Sequence, residues 1–542
     1  MKGRPFLAVL LVVALLILGL GLGGWWLVWQ RGPLRLQHHP LTIPRAARFV
    51  PRQAPLSLYI FSDGEQPVDY ARAVAPLRHR ESAIRAVERL RDGAFAAAGL
   101  NYHDELAGWL APEIGLSLFD TPGEEPGSSW LLVLSSKDGE GARRFLQRFW
   151  QSRSLAGSGL QISQYRGMGL ISGRGALVGR DPVPLATALV QDDLVLIASG
   201  RTTLERALDV SQIDSLNEAG LPPLVEGVEQ LGEGLALLVA RSGAFAPWLG
   251  LPDVEGDGES ADPILVGSLQ PDGRQLELNG RLHLLDGGAP LPPASPGTVS
   301  GAMTPVETAL LKGVGGESES LAILRNPAAL LQQPWLQPLV QAITNPSKAG
   351  PLPPLLAAAD PGLLLFSRGP EGWLIGTADQ TPRPEDLEAA LAAEGLIDAP
   401  LDVNGESVTV WTRLQARAAQ GGRQSGGEQV QASVAGWWRP VDGLAWWGDN
   451  LSLLNQKAPG RTVQARQEEL AALDRPGAPL RWVLGGDAAS ALLQQWRPWN
   501  LLTSVAGGPL AEGLQSLAFA LEPQDATVRW TARIEFAAKP HG

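Results

Sequence analysis

LQPDGRQLELNGR at 269–281 and LEPQDATVRWTAR at 521–533 decide how this chain is organised. Each carries Leu-x-Pro and an arginine ten positions after the proline. Each also joins two short apolar runs, and so reads as a β-hairpin: Ile264 to Leu269 with Gln275 to Leu285, and Leu517 to Leu521 with Thr527 to Phe536.

Upstream of each hairpin, similar segments recur in the same order at an offset of roughly 245 to 265 residues, the signature of an internal repeat. LSLYIF at 56–61 answers LAILR at 321–325, and LSLF at 116–119 answers LLLF at 363–366. WLLVLSS at 130–136 answers WLIGTAD at 373–379, and LVLIAS at 194–199 answers LAWWGD at 444–449. Two equivalent halves follow, at 50–286 and 318–538, with the Gly-, Pro- and Ser-rich stretch 287–317 as a linker.

Within a half, short apolar runs alternate with helical patterns. Trp130 to Ser135 reads as a strand, and Gly139 to Gln151 as a helix with Ala142, Phe145, Leu146 and Phe149 on one face. Leu160 to Tyr165 is the next strand. Gln191-Asp192-Asp193 and Val441-Asp442-Gly443 look like hairpin turns. Many hairpins with interspersed helices predict an α+β fold with largely antiparallel sheets. A doubly wound parallel sheet needs a helix between nearly all its strands, which this pattern lacks.

At the other end of the chain, Phe6 to Trp29 carries no charged or strongly polar side chain. As a helix it is about 36 Å long, enough to cross a hydrocarbon core of about 30 Å. A cleaved signal peptide has an apolar stretch of only about 7–15 residues. Here the run continues past Gly19, Gly21 and Gly23 to Trp25, Trp26 and Trp29, which suit a membrane interface together with Arg31 and Arg35. Gly19 and Gly23 also have the spacing that lets two helices approach closely in lipid. The short amino-terminal tail followed by a large body resembles a signal anchor with its bulk outside the cytoplasm. The positive charges after the helix, Arg31, Arg35, Arg45 and Arg48, argue for the opposite orientation.

Charge divides the arm from the body. Residues 1–62 hold seven Lys or Arg and no acid, so a formal net charge of −12 for the chain leaves −19 beyond them. A general nucleic-acid binder needs a basic footprint, and this body has none. The stretch from Arg31 to Arg52, interrupted by Pro33, Pro40, Pro44 and Pro51, reads as a basic tether along anionic head groups or as an ordinary solvated linker. The expected order is a basic tail (1–5), an anchor helix (6–29), a Pro/Arg-rich tether (30–54), one α+β unit (55–286), a linker (287–317) and a second unit (318–538).

Trp109-Leu110-Ala111-Pro112-Glu113, Tyr165-Arg166-Gly167, Leu194 to Ser199 and Leu204 to Leu208, behind an amino-terminal anchor, form a series of short signatures. With these the chain resembles an uncharacterised bacterial family frequent in cyanobacteria, domain of unknown function 3352, best over residues 50–285. The resemblance implies an anchored, extracytoplasmic protein and brings no known active site.

Chemistry is sparse. The chain has no cysteine, so disulfides, thiolate catalysis and Cys-ligated zinc are excluded. The histidines, His38, His39, His79, His103, His283 and His541, show no i, i+4 pair. There is no G-x-S-x-G elbow and no phosphate loop. Gly167, Gly169 and Gly173 fall in a hairpin rather than at a strand-to-helix turn. Asp253 to Gly258 resembles the start of a calcium loop, but its twelfth position is Ile264, so an acidic surface turn is the better reading. Glu124-Glu125 and Glu468-Glu469 are adjacent pairs whose side chains do not face each other on a helix. No cofactor, metal or catalytic residue is predicted.

Trp437-Trp438 and Trp446-Trp447 flank one turn. Successive strand residues point to opposite faces, so each pair sets one indole on either side of the sheet, in the core or as an aromatic surface for a partner, sugar or lipid. The expected function is a membrane-anchored, non-catalytic binding or assembly platform with lipid and protein partners. An unrecognised membrane-anchored hydrolase is the alternative, which a raised-pKa carboxylate beside a histidine in a concave pocket would favour.

Overall fold

Ten strands come from the first half of the chain: β1 (Leu56–Ile60), β2 (Leu110–Phe119), β3 (Ser129–Ser136), β4 (Gln161–Tyr165), β5 (Met168–Ala176), β6 (Pro182–Val190), β7 (Leu194–Ala198), β8 (Ala236–Arg241), β9 (Ile264–Asp272) and β10 (Gln275–His283). Ten more follow: β11 (Ser320–Arg325), β12 (Leu363–Gly369), β13 (Gly372–Thr377), β14 (Leu396–Val403), β15 (Glu406–Ala418), β16 (Glu428–Val441), β17 (Leu444–Gly448), β18 (Leu480–Gly485), β19 (Leu514–Gln524) and β20 (Thr527–Phe536). The structure is a computed structural model that describes residues 33–119, 129–153, 159–176, 182–250, 263–284, 303–333, 335–344, 351–358, 362–378, 381–403, 405–418, 428–456, 458–496, 499–500, 503–504, 513–524 and 527–536. The apolar segment Phe6 to Trp29 lies outside the described residues, as do Trp25, Trp26, Trp29, Arg31, the Asp253–Gly258 loop and Glu124-Glu125. Among the described residues no helix is long and apolar enough to cross a membrane.

Pairing runs β4-β5-β6-β7-β3-β2-β1-β8-β9-β10 in the first half, antiparallel throughout. The second half repeats this scheme as β14-β15-β16-β17-β13-β12-β11-β18-β19-β20. β10 then pairs with β20, and twenty strands become one sheet. The fold is therefore α+β with a large antiparallel sheet. Its hairpin turns are chemically ordinary: Asp442 and Gly443 both take positive φ, at 51° and 82°, as a two-residue loop between twisted strands requires.

Helices cover both faces. In the first half α1 (Gln66–Val74) and α2 (Arg80–Ala97) lie between β1 and β2, and α3 (Gly139–Arg153) follows β3. α4 (Arg201–Val210) and α5 (Pro222–Leu231) lie between β7 and β8. Leu132 and Leu134 of β3 pack with Phe145 and Phe149 of α3, while Leu131 and Val133 pack on the opposite face with Leu204 and Leu208 of α4. With neither face left to water, the central strands lose their polar alternation, and every residue of β7 is buried.

The second half is covered by α6 (Pro305–Gly313), α7 (Pro327–Gln332), α8 (Gln337–Thr344), α9 (Leu352–Ala358), α10 (Pro384–Ala393), α11 (Arg461–Ala472) and α12 (Gly486–Leu493). Part of the expected linker is thus folded: Thr304 caps α6, accepting from Glu307 N–H at 3.2 Å, and Leu310 and Leu311 enter the core. A capping Thr, a Pro at the first helical position and a Glu three residues on are the local cause.

Residues 33–54 are not an extended tether. They form a strap across one face of the first half, with Leu36, Leu41, Ala46, Ala47, Phe49 and Val50 buried. Leu41 N–H donates to Gly232 O and Gly234 N–H to His39 O, both at 2.9 Å, and Arg52 N–H donates to Leu216 O at 2.9 Å. Arg45 pairs with Asp193 at 2.5 Å. The apolar residues between the prolines and arginines seat in the core, so burial overrides the linker-like composition.

The seam between the halves is built from the two quoted hairpins. Asp272 and Gln275 close one as Gln524 and Thr527 close the other, which makes Asn279 and Thr531 corresponding residues. These two stand opposite each other in the β10–β20 ladder, and Thr531 Oγ1 donates to Asn279 Oδ1 at 2.9 Å. A local two-fold axis therefore passes between them. On one side of it Arg533 pairs with Glu277 at 3.2 Å; on the other Arg281 faces Arg529 and donates to Gln524 Oε1 at 2.8 Å. The Trp530 indole lies over Gly280 and Gly267, which are themselves cross-strand partners.

Candidate functional site

Among the described residues a concavity lies in the second half, where the turn from α6 into β11 meets the β12–β13 hairpin and the segment after β17. It consists of two adjoining cavities of about 220 Å³ and about 100 Å³ that share Glu317, Gly369, Leu453 and Gln456. Glycine shapes it. At Gly316, φ is +71°, and a Cβ at Gly369 would collide with the Glu317 carbonyl, so these positions let two backbones approach where side chains would close the cleft. Trp437, Trp446, Arg439 and Ser367 line the inner part.

Three of the polar groups here are engaged in structural contacts. Glu317 Oε2 accepts from Thr462 N–H at 3.1 Å and from the Thr462 hydroxyl, at the start of α11. These hydrogen bonds hold its carboxyl below the usual range, so it stays ionised near neutral pH. Ser367 Oγ donates to Ser318 Oγ at 2.9 Å, and Ser318 Oγ donates in turn to Ser320 O, which leaves no base to activate a hydroxyl. Arg439 pairs with Glu406 at 3.2 Å. Each cavity alone lies below the range of about 300–1,000 Å³ typical of cofactor and drug-sized ligand sites, and the two together only reach its lower end. The arrangement can hold a side chain or a small polar group.

The strongest ionisable perturbations lie elsewhere. Burial pushes the Glu218 carboxyl up to about 7, and its partner is the Tyr59 hydroxyl, which donates to it. Glu218 N–H also donates to Val50 O at 2.9 Å, so this group fastens the strap. In the second half Glu307 is fully buried between Arg325, at 3.0 Å, and Arg481. Burial likewise raises Glu469 to about 7, beside Arg466. None of these carboxylates lines the cleft or is paired with a histidine, and among the described residues no group of three or more His, Cys, Asp or Glu could hold a metal.

Trp437 and Trp446 are buried on one face of the sheet and Trp447 on the other, each within protein, while Trp438 is half-buried against the same cluster as Trp447. Trp447 stacks on Trp411 with centroids 5.1 Å apart. No open aromatic platform is built from these four. Arg35 is exposed on the turn Pro33–His38. Sequence reading missed the cleft because its walls are glycines from segments far apart in the chain. The Gly313–Gly316 cluster just before a strand was the available signal.

Fold and site together define an α+β protein built on one large antiparallel sheet, with a small polar cleft in its second half. The family described as a protein of unknown function, DUF3352, matches residues 10–364, and the chain belongs to it. None of the curated proteins matches the chain. Among solved structures, crystal form I of TP0453 is similar over 44% of this chain and 79% of its own, with 12% identity and a TM-score of 0.27. Crystal form IV of TP0453 covers the same shares at 11% identity and a TM-score of 0.24.

Proposed function

We propose that this chain is a membrane-anchored binding or assembly platform, non-catalytic, with its bulk outside the cytoplasm and its two halves derived from one duplicated α+β unit. The observation that supports the non-catalytic reading is the cleft, where Glu317 and Ser367 are held in structural contacts and Arg439 pairs with Glu406. The recurrent pairing scheme supports duplication, and the apolar run Phe6 to Trp29 supports the anchor.

Capture from detergent-solubilised membranes tests it. The intact protein should bring down a defined protein partner, and Leu453→Arg, which puts a long charged side chain into both cavities, should lose it. An unchanged set of partners, or turnover of ester or peptide substrates by the purified protein, would refute the reading.

A further inference from the structure

The strap fixes where the body sits relative to the apolar segment. Trp29 and Pro33 are four residues apart, a reach of at most about 14 Å. Pro33–His38 packs along α1, where Gln37 bonds Asp272 at 3.2 Å and Tyr70 of α1 accepts from Gly273 N–H at 2.8 Å. Whatever surface receives Phe6 to Trp29 therefore lies close to α1.

That neighbourhood is unlike the rest of the body. The turn between α1 and α2 carries Leu77 at its tip, 81% exposed, and Leu34 is exposed on the adjoining strap. Across α1, the turn and α2 six arginines stand against four acids, and Arg72 pairs with Asp69 and Arg85 with Glu81 at 3.8 Å, which leaves Arg78 and Arg80 close after Leu77 in a body of net negative charge. An exposed leucine next to Arg78 and Arg80 on a turn gains nothing from the core. It suits a surface that is anionic outside and apolar beneath.

We propose that the α1–α2 turn rests on an anionic bilayer, Leu77 entering the head-group layer and Arg78 and Arg85 facing lipid phosphates. The inference rests on the anchored reading above. It makes the body a rigid extension of the membrane attachment instead of a domain swinging on a tether.

Because the chain has no cysteine, Leu77→Cys gives a single site for an environment-sensitive dye on the full-length protein. In phosphatidylcholine vesicles containing phosphatidylglycerol the emission should shift to the blue and rise about twofold or more over neutral vesicles. Adding Arg78→Glu and Arg85→Glu should abolish that difference. A dye at Ile162→Cys, an exposed position on the far edge strand, should respond to neither vesicle. Equal emission from position 77 in both vesicles, or a response identical to that at 162, overturns the proposal. Carbonate washing scores the anchor separately: release of the chain would overturn the anchored reading, while the dye would still decide the turn.

Discussion

Replacing Gly280 by alanine should loosen the seam that joins the two halves. A Cβ at this position falls 2.5 Å from Trp530 Nε1 and nearer still to the ring carbons, so the indole must leave its seat over Gly280 and Gly267. Forcing one extra carbon into a packed site costs about 1–3 kcal/mol. Alanine recovers about 0.4–1 kcal/mol by restricting the unfolded chain. The net is about 1–2 kcal/mol of lost stability, which in hydrogen exchange is a roughly 5- to 30-fold faster opening if the loss is local. Amides of β10 and β20 should show it, with those of β3 and β13 unaffected. In a Trp530→Ala background the obstacle is gone, and Gly280→Ala should be neutral or mildly stabilising. Unchanged exchange in the single variant, or identical effects in both backgrounds, would refute the assignment of Trp530 as the element packed over the glycines.

Two further outcomes follow from the buried groups. Burial raises the Glu218 carboxyl from 4.5 to about 7, so the native state keeps a proton that the unfolded chain has lost between those values. Stability should therefore fall as pH rises from about 4.5 to about 7 and level off above, a loss of about 3 kcal/mol. Glu218→Gln should remove its share of that slope and leave the part that Glu469 carries, melting near wild type at pH 5 and above it at pH 8; a parallel pH profile would count against it. A Cβ on Gly115 would come 2.6 Å from Ala46 Cβ, so Gly115→Ala should lift the strap. Trypsin should then cut faster after Arg45 and Arg48, and an unchanged cleavage rate would show that the strap is held elsewhere.

The sequence announced its hairpins because a turn and its flanking apolar runs are local. It announced the correspondence of Trp130 with Trp373 and of Leu194 with Leu444 because both pairs sit in strands buried over most of their length. Register was less visible. Leu56 pairs with Ala240 as Ser320 pairs with Leu484, so Leu56 corresponds to Ser320, one residue from the match that similarity suggests. In β2 the displacement is three: Leu116 corresponds to Phe366. An odd slip exchanges the two faces of a strand, and leucine repeats cannot report it when both faces are apolar. The strap escaped notice because its 3-10 turns have neither the helical nor the strand period. The crowding of tryptophan in the second half has a packing cause. α3 brings Phe145, Phe149 and Trp150 to its sheet, whereas α10 buries only Leu387 and Leu391. Trp438 and Trp447 stand where the first half has Thr187 and Ile197, supplying from the strands the bulk that the helix lacks.

Around the local two-fold axis, Glu277 still finds Arg533, but Arg529 occupies the place that a second Glu277 would hold. In an assembly of two identical chains a change at that position would be made twice, and both sides of the axis would meet an arginine with an arginine. Here the two sides are separately encoded. One carries the ion pair of Arg533 with Glu277, the other a hydrogen bond from Arg281 to Gln524. Under the proposed duplication, fusion lets the seam evolve as a heteromeric contact: one half can conserve the geometry of attachment while the other, which carries the cleft described above, acquires a different surface.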